Sequence, residues 1–436
     1  MDDSRPSNSR RYTASVDFLK RAEAVIPLGS QTFSKSRTQF PVGAAPLFVQ
    51  RAEGPYFWDL DGNRYLDFAC SLGAITLGHG DPEIKAAVVR QMDEGVLFSL
   101  PNPIETRVAE MIVERIPCAE KVRFGKNGSD ATAGAVRLAR AYTGRERVAL
   151  CGYHGWQDWY IGTTARNRGV PESTRTLSHT FPYNDLEALD RLLASHKDEF
   201  ACVIMEPVAF TEPTQGYLQG VKDIAHKHGA LLIFDEVVTG LRYAPGSAQE
   251  LYGVTPDLCS LGKGLANGFP LSAIAGRADV MKLMEEIFFS FTMGGEAISL
   301  AATEAVLIKS KREKTLDHIA ATGTYLIERF RAMVEKHNLG DVLSISGHPS
   351  WTLIGMKDQP GADAFALKTL YIQETCRRGL FSFGVHFLSY AFKKEHVDEA
   401  MAIYDEVFPI MRRAIDSGDF KSFLECEPLV PLFKVR

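Results

Sequence analysis

Between about Lys121 and Gly276 the chain alternates short apolar runs with helical stretches, and this alternation restricts the fold more than any other feature. The runs are KVRFG, RVALCGY, ACVIMEP, ALLIFDE, DLCSLG and LSAIAG. They are apolar throughout rather than at every second position, the pattern of strands buried on both faces. Between them lie sequences of helix period, such as DATAGAVRLARAYTG, DLEALDRLLASHK and VKDIAHKHG. Alternating strand and helix predicts an α/β fold, a mostly parallel sheet with helices on both faces. Ligands in such sheets bind beyond the carboxyl ends of the strands. Polar residues that directly follow these runs are therefore expected to converge on one site.

The flanks differ. Residues 1–45 read as a polar arm, a short helix near Ser15–Val25 and a Ser/Thr/Gly-rich loop. PLFVQRAEGPYFWDLDGNRYLDF predicts strands joined by a tight turn at Asp61-Gly62. After about Ser310, helix patterns at 315–337, 362–378 and 396–416 flank strand-like LSISG, WTLIGM and LFSFGVHFLSYAF, an α+β unit. Pro409 is expected to kink the last helix. We expect an N-terminal arm and part of a small domain over 1–60, a large domain over 61–309 and a C-terminal small domain over 310–436.

Composition removes several function classes. The net charge is -5 and no basic block occurs, which speaks against nucleic acid as a partner. No apolar run approaches the roughly 20 residues needed to cross a bilayer, so no membrane role is expected. MDDSRPSNSR lacks the apolar segment of a signal peptide. The seven cysteines are scattered and form no CxxC pair. They predict reduced thiols, no metal site and a cytoplasmic location.

Four segments carry candidate chemistry. LLIFDEVVTG ends a strand on Asp235-Glu236, and DLCSLGKGLANG ends one on Lys263 between two glycines. Each has an ordinary reading: a helix-capping acid and a solvated loop lysine. Together they offer what a Schiff-base cofactor needs. One is an amine for the imine and for moving the α-proton, the other a carboxylate to keep a pyridine nitrogen protonated. FGKNGSDATAGAVRLAR places Asn127, Gly128 and Ser129 at a helix start, where backbone N–H groups hold phosphate or where a plain N-cap sits. CGYHGW puts Tyr153 and His154 after another strand, either an aromatic that stacks on a ring or a core aromatic beside a surface histidine.

With IFDEVVTGLR…PDLCSLGKGLANGFP in hand, the chain resembles the class III group of fold-type I pyridoxal-phosphate enzymes, over roughly Phe57 to Gly295 and more weakly beyond. FTMGGEAISLAA and GVHFLSYAF look most like the glutamate-1-semialdehyde aminomutase branch. The resemblance implies a large, mostly parallel seven-stranded sheet domain and a smaller α+β domain from both termini. It also implies pyridoxal 5'-phosphate held covalently on Lys263, with pyridoxamine 5'-phosphate as the intermediate. Asp235 would pair with the pyridine nitrogen, Val237 and Tyr153 would bound the ring, and Gly128 and Ser129 would hold the phosphate with Asn127 nearby. His154 would lie close, Glu206 beneath the site, and Thr292 would complete the phosphate site from the neighbouring subunit of a homodimer.

This chain departs from the group where substrate binds. An SPVRA-like stretch in the aminomutases carries a carboxylate-binding arginine; here the stretch reads GSQTFSKSR, with Lys35 and Arg37 as its cations. Gly295-Glu296-Ala297 stands where relatives have Gly-Asn-Pro. The expected activity is transfer of an amino group from a small-molecule donor to a keto or aldehyde acceptor. Ser34, Lys35, Trp58 and His386 are candidate substrate residues. The alternatives are intramolecular amino transfer, as in glutamate-1-semialdehyde 2,1-aminomutase, or a cofactor-binding protein without catalysis.

Overall fold

The computed structural model describes residues 12–208 and 210–430, so the polar start expected over residues 1–11 lies outside the described residues. The chain divides into two compact units. The larger comprises Ala74–Thr76 and Pro82–Leu316. The smaller comprises residues 12–73, Leu77–Asp81 and residues 317–430.

The larger unit is built on seven strands: β1 (Lys121–Gly125), β2 (Arg147–Cys151), β3 (Ser178–Thr180), β4 (Phe200–Met205), β5 (Leu231–Glu236), β6 (Leu258–Leu261) and β7 (Ser272–Gly276). Their spatial order is β1-β7-β6-β5-β4-β2-β3. All pairs are parallel except those of β7, which runs antiparallel to both β1 and β6. The six apolar runs became strands; β3, only three residues long and at an edge, had no apolar run to mark it.

Every residue of β4 and β5 is buried, because helices cover both faces. Alternate residues feed opposite cores. Val203, Met205, Leu232 and Phe234 pack in one cluster, while Cys202, Ile204, Leu231 and Ile233 pack in the other. Side chains of a strand point to alternate faces, so a strand with two cores must be apolar at every position. The helix Ala297–Glu313 escaped the sequence reading for a related reason. Ala297, Ser299, Leu300, Ala301, Ala302, Thr303, Ala305, Val306 and Leu307 are all buried, so it shows no polar face and no clear helical period.

In the smaller unit, Val49–Glu53, Tyr56–Asp59 and Arg64–Asp67 form an antiparallel meander. Leu380–Phe381 joins it in parallel. The turn falls at Asp61-Gly62 as expected. Asp59 Oδ1 accepts from the N–H groups of Asp61 (3.0 Å) and Asn63 (2.8 Å), and Gly62 takes a φ of +80°. Leu343–His348, Trp351–Met356 and Val385–Phe387 form a second, antiparallel sheet. The unit also holds the helices Thr13–Glu23, Ala364–Arg377 and Lys394–Asp416 and nearly all of Thr315–Lys336, and Lys394–Asp416 runs on through Pro409. Among the described residues no helix is long and apolar enough to cross a membrane.

Candidate active site

The site forms where β5 and β6 end. Asp235 and Glu236 are adjacent on β5 and so face opposite ways. Asp235, 5% exposed, receives His154 Nδ1 on Oδ2 at 2.8 Å and the Val237 N–H on Oδ1 at 3.1 Å. The ring nitrogen donates, since a carboxylate only accepts. Glu236 is fully buried on the other side. It accepts from the Ala248 N–H, the Gln249 side chain and the Thr239 hydroxyl, and burial raises its pKa. Of the two acids, only Asp235 is turned toward the other candidate residues.

Lys263 follows β6 and is half-buried. It takes a φ of +42°, a left-handed conformation that strains a residue with a Cβ and that clusters at functional sites. The residues after it are bonded to Thr76. Thr76 Oγ1 donates to the Gly264 carbonyl at 3.1 Å, and the Thr76 N–H donates to Asn267 Oδ1 at 2.9 Å. A Cβ on Gly264 would lie 2.6 Å from Thr76 Cγ2, so the glycine is required there.

Val237 is the meeting point. A Cβ on Gly128 would lie 2.8 Å from Val237 Cγ1. One on Gly262, beside Lys263, would lie 3.3 Å from the same atom and 3.8 Å from the Gly128 Cα. The ends of β5 and β6 and the turn before helix α1 (Gly128–Thr143) are thus packed together. In that turn the Asn127 side chain accepts from the Asp130 N–H and Asp130 returns a bond to the Asn127 N–H, a capping box. The cap of this helix is thus Asn127. The next two N–H groups, of Gly128 and Ser129, have no partner within the helix. Such a positive helix start suits a phosphate.

Tyr153-His154-Gly155 closes the arrangement. The Tyr153 N–H donates to Glu206 Oε2 at 2.8 Å. Thr132 Oγ1 donates to the His154 carbonyl at 2.8 Å, and the Trp156 N–H donates to Ser129 Oγ at 3.2 Å. His154 is 1% exposed, not the surface histidine that this segment taken alone favours. Tyr153 is exposed at 42%. Gly155 has a φ of +103°, and a Cβ there would fall 2.1 Å from Ser129 Oγ. Gly155→Ala is expected to displace Ser129 and to cost about 2–5 kcal/mol from strain plus overpacking. Urea unfolding of the variant checks this, and an unchanged midpoint would contradict it.

These residues fit a phosphorylated pyridine aldehyde: an amine, a buried carboxylate, free N–H groups at a helix start, and small residues where a flat ring needs room. Thr292 is exposed, in the segment before helix Ala297–Glu313. That segment held a signal the sequence reading noted only as a departure. Glu296 caps the helix through the N–H groups of Ile298 (2.6 Å) and Ser299, and it pairs with Lys126 at 2.9 Å. It so ties the helix to the residue that precedes the Asn127 cap.

The four substrate candidates belong to the smaller unit. Ser34 and Lys35 are exposed, and Lys35 Nζ donates to Ser71 Oγ at 3.1 Å. Trp58 is covered by the Arg51 guanidinium, 3.5 Å from its ring centroid. His386 corrects the expectation for it. It is 1% exposed, with Nδ1 at 3.0 Å from Thr352 Oγ1 and Nε2 at 2.8 Å from the Tyr404 hydroxyl. Both nitrogens are engaged inside the core, so neither is offered to a ligand.

Burial pushes the His386 pKa down to about 3. The folded form keeps it neutral, while the unfolded chain takes up a proton below about 6.5. Stability is therefore complete above that value and declines as pH falls toward 3, at up to about 1.4 kcal/mol per pH unit. His386→Gln is expected to flatten this part of the stability–pH curve. Equal slopes for the two proteins would refute the assignment.

Strand-end lysine and aspartate on a parallel sheet, with a helix start for phosphate, define the class of fold-type I pyridoxal-phosphate enzymes. Residues 39–408 match the family model of class-III aminotransferases, and the chain belongs to that family. It is 33% identical over 402 residues to a 3-aminobutyryl-CoA aminotransferase of Cloacimonas acidaminovorans, covering 90% of this chain and 95% of the relative. It is 34% identical over 440 residues to a glutamate-1-semialdehyde 2,1-aminomutase of Heliobacterium modesticaldum, covering 92% and 98%. The FumI protein of Sphingopyxis sp. MTA144, solved in its PLP internal aldimine form, superposes with a TM-score of 0.86 at 29% identity, covering 95% and 99%. An omega-transaminase from Sphaerobacter thermophilus superposes at 0.83 with 28% identity, covering 92% and 98%. The expected fold and enzyme family are both borne out.

Proposed function

We propose that this chain is an aminotransferase that carries pyridoxal phosphate on Lys263, with Asp235 at the ring nitrogen. The observation that carries the reading is the packing of Gly128, Val237 and Gly262 against one another. It gathers the phosphate turn, the carboxylate strand and the lysine strand. When bound, the cofactor supplies an electron-poor ring that stabilises the charge left by loss of the donor's α-proton and carries the amino group between half-reactions.

The protein's own residues do the rest. Lys263 Nζ would be the base that takes the donor's α-proton and the acid that gives it back. Asp235, shielded from water, holds a proton at the ring nitrogen by charge, and His154 keeps that carboxylate oriented. Gly128 and Ser129 bind phosphate through their N–H groups, and Val237 and Tyr153 bound the ring. Glu206 fixes Tyr153 through its backbone. Lys35 meets a substrate carboxylate as a point charge, with Ser34 and Trp58 nearby in sequence-based expectation.

Thr292 completes the phosphate site of a second subunit in a homodimer. Its exposure supports this, as do the exposed apolar residues Val89, Met92, Leu97, Phe98 and Leu100, a patch of the kind that marks interfaces. Seven free thiols support a cytoplasmic location.

The test is a spectroscopic half-reaction screen. The near-visible band of the lysine-linked cofactor is expected to shift on adding a productive amine, and a carbonyl acceptor is expected to restore it. A band indifferent to every amine would overturn the aminotransferase reading. The aminomutase alternative is favoured by the relative of that name. Formation of 5-aminolevulinate from the semialdehyde would establish it in place of intermolecular transfer.

A further inference from the structure

Lys126 and Glu296, both in the larger unit, form an ion pair that is mostly withdrawn from water. Lys126 Nζ lies 2.9 Å from Glu296 Oε2, and the two side chains are 18% and 14% exposed. A fully exposed pair contributes little, but one held out of solvent is screened much less by salt. Glu296 is occupied on its own side as well. Its Oε1 accepts from the Ile298 N–H at 2.6 Å, and its Oε2 accepts from the Ser299 hydroxyl at 2.6 Å and the Ser299 N–H at 3.2 Å. Burial works against the charged form, yet the Ser299 hydroxyl and the Lys126 ammonium hold the Glu296 carboxyl below its ordinary range. The carboxylate is therefore a fixed point at the start of helix Ala297–Glu313.

The segment that carries Glu296 is held in two further places. The Ala297 N–H donates to the Val96 carbonyl at 2.9 Å, and a Cβ on Gly295 would lie 2.6 Å from Glu105 Oε1. Lys126 is held at its other end. Its backbone N–H donates to Asp130 Oδ2 at 2.9 Å, and the Asn127 N–H donates to the same oxygen at 2.9 Å. Lys126 thus belongs to the capping network that orders the start of α1. The two N–H groups assigned above to phosphate, of Gly128 and Ser129, come directly after it. One brace of that turn is Val237, 2.8 Å from where a Gly128 Cβ would lie. The second is the Lys126–Glu296 pair, which ties the turn to a helix 170 residues further along the chain. Gly-Asn-Pro, which relatives have at this place, offers a lysine no counter-charge.

We propose that Lys126 and Glu296 are positioning residues for the phosphate group: the pair locks the turn of Asn127, Gly128 and Ser129 to helix Ala297–Glu313 and so holds the two N–H groups in the geometry that binds phosphate. That the phosphate belongs to pyridoxal phosphate rests on the aminotransferase reading above; binding of the phosphate group does not. The lysine acts through the backbone that follows it rather than as a charge on the ligand, because its ammonium is neutralised by Glu296.

Two substitutions in the full-length chain test this. Lys126→Met leaves the Glu296 cap of its helix in place, and Glu296→Gln keeps an acceptor for the Ile298 N–H. In the cofactor-loaded protein, each is expected to lose the near-visible band on dilution about tenfold faster, the order expected of coupled pairs. Inorganic phosphate is the second probe, on the same chains freed of cofactor. Its affinity is read from the rise in melting temperature over each variant's own phosphate-free value, which separates binding from fold stability. It is expected to fall about tenfold in each single variant and no further in the double variant. Variants that melt lower but bind phosphate as before would overturn the proposal, since the pair would then serve the fold alone. Additive losses in the double variant would overturn it as well. So would tighter phosphate binding by Glu296→Gln, which would mean that Glu296 withholds the ammonium from the ligand. Weakened phosphate binding in both variants, in a protein whose cofactor band no amine shifts, would uphold the positioning role and sink the aminotransferase reading.

Discussion

Replacing Lys263 with alanine is expected to remove the near-visible band of the lysine-linked cofactor and to lower kcat by at least about 10²–10⁴-fold. The substitution takes away the only group on this strand end that can both hold the cofactor covalently and move a proton. It should leave the fold intact. Lys263 is half-buried, and the Thr76 hydrogen bonds to Gly264 and Asn267 that follow it are backbone and amide contacts the substitution leaves in place. Inorganic phosphate should still raise the melting temperature of the variant, because the Gly128 and Ser129 N–H groups are untouched. Lys263→Arg sharpens the test. It keeps the charge and length but cannot lose its proton at any accessible pH, so it too is expected to lack the band. Survival of the band in either variant would refute the assignment of Lys263.

The second large effect is at Asp235. Asp235→Asn is nearly isosteric, and the Val237 N–H, now 3.1 Å from Oδ1, keeps an acceptor. The charge is lost, and so is a full acceptor for His154, now 2.8 Å away. A preorganised charge aimed at a reacting group in a water-excluded site is worth about 10²–10³-fold, and kcat is expected to fall by that order. The cofactor band should remain, because Lys263 is unaltered. Stopped-flow measurement of the half-reaction separates the two effects. A variant with normal proton-transfer rates would show that Asp235 serves only packing.

Much of this architecture is legible in the sequence, for physical reasons. A strand with helices on both faces must be apolar at every position, so β4 and β5 announce themselves as FACVIM and LLIFDE. A lysine or acid directly after such a strand lies on the ligand-binding edge of the sheet. What stayed hidden lacked a periodic signal. Helix Ala297–Glu313 is buried nearly all round as far as Leu307, and β3 is too short to show a pattern. His386 looked like a loop histidine near a binding mouth, but its partners Thr352 and Tyr404 lie 34 and 18 residues away. Hydrogen bonds of that separation leave no local trace.

By itself, then, the sequence determined the α/β class and the class-III aminotransferase family, and it pointed to Lys263 and Asp235 as the residues to test. Each depends on local burial and on residues at strand ends. Only the tertiary structure decided that His154 lies buried against Asp235, that Gly155 is a spacer for Ser129, and that Val237 joins the phosphate turn to the lysine strand. It alone decided that His386 is core and that Lys126 pairs with Glu296. These are contacts between segments far apart in the chain. Such contacts depend on how side chains fill shared space, which the order of residues along one segment does not encode.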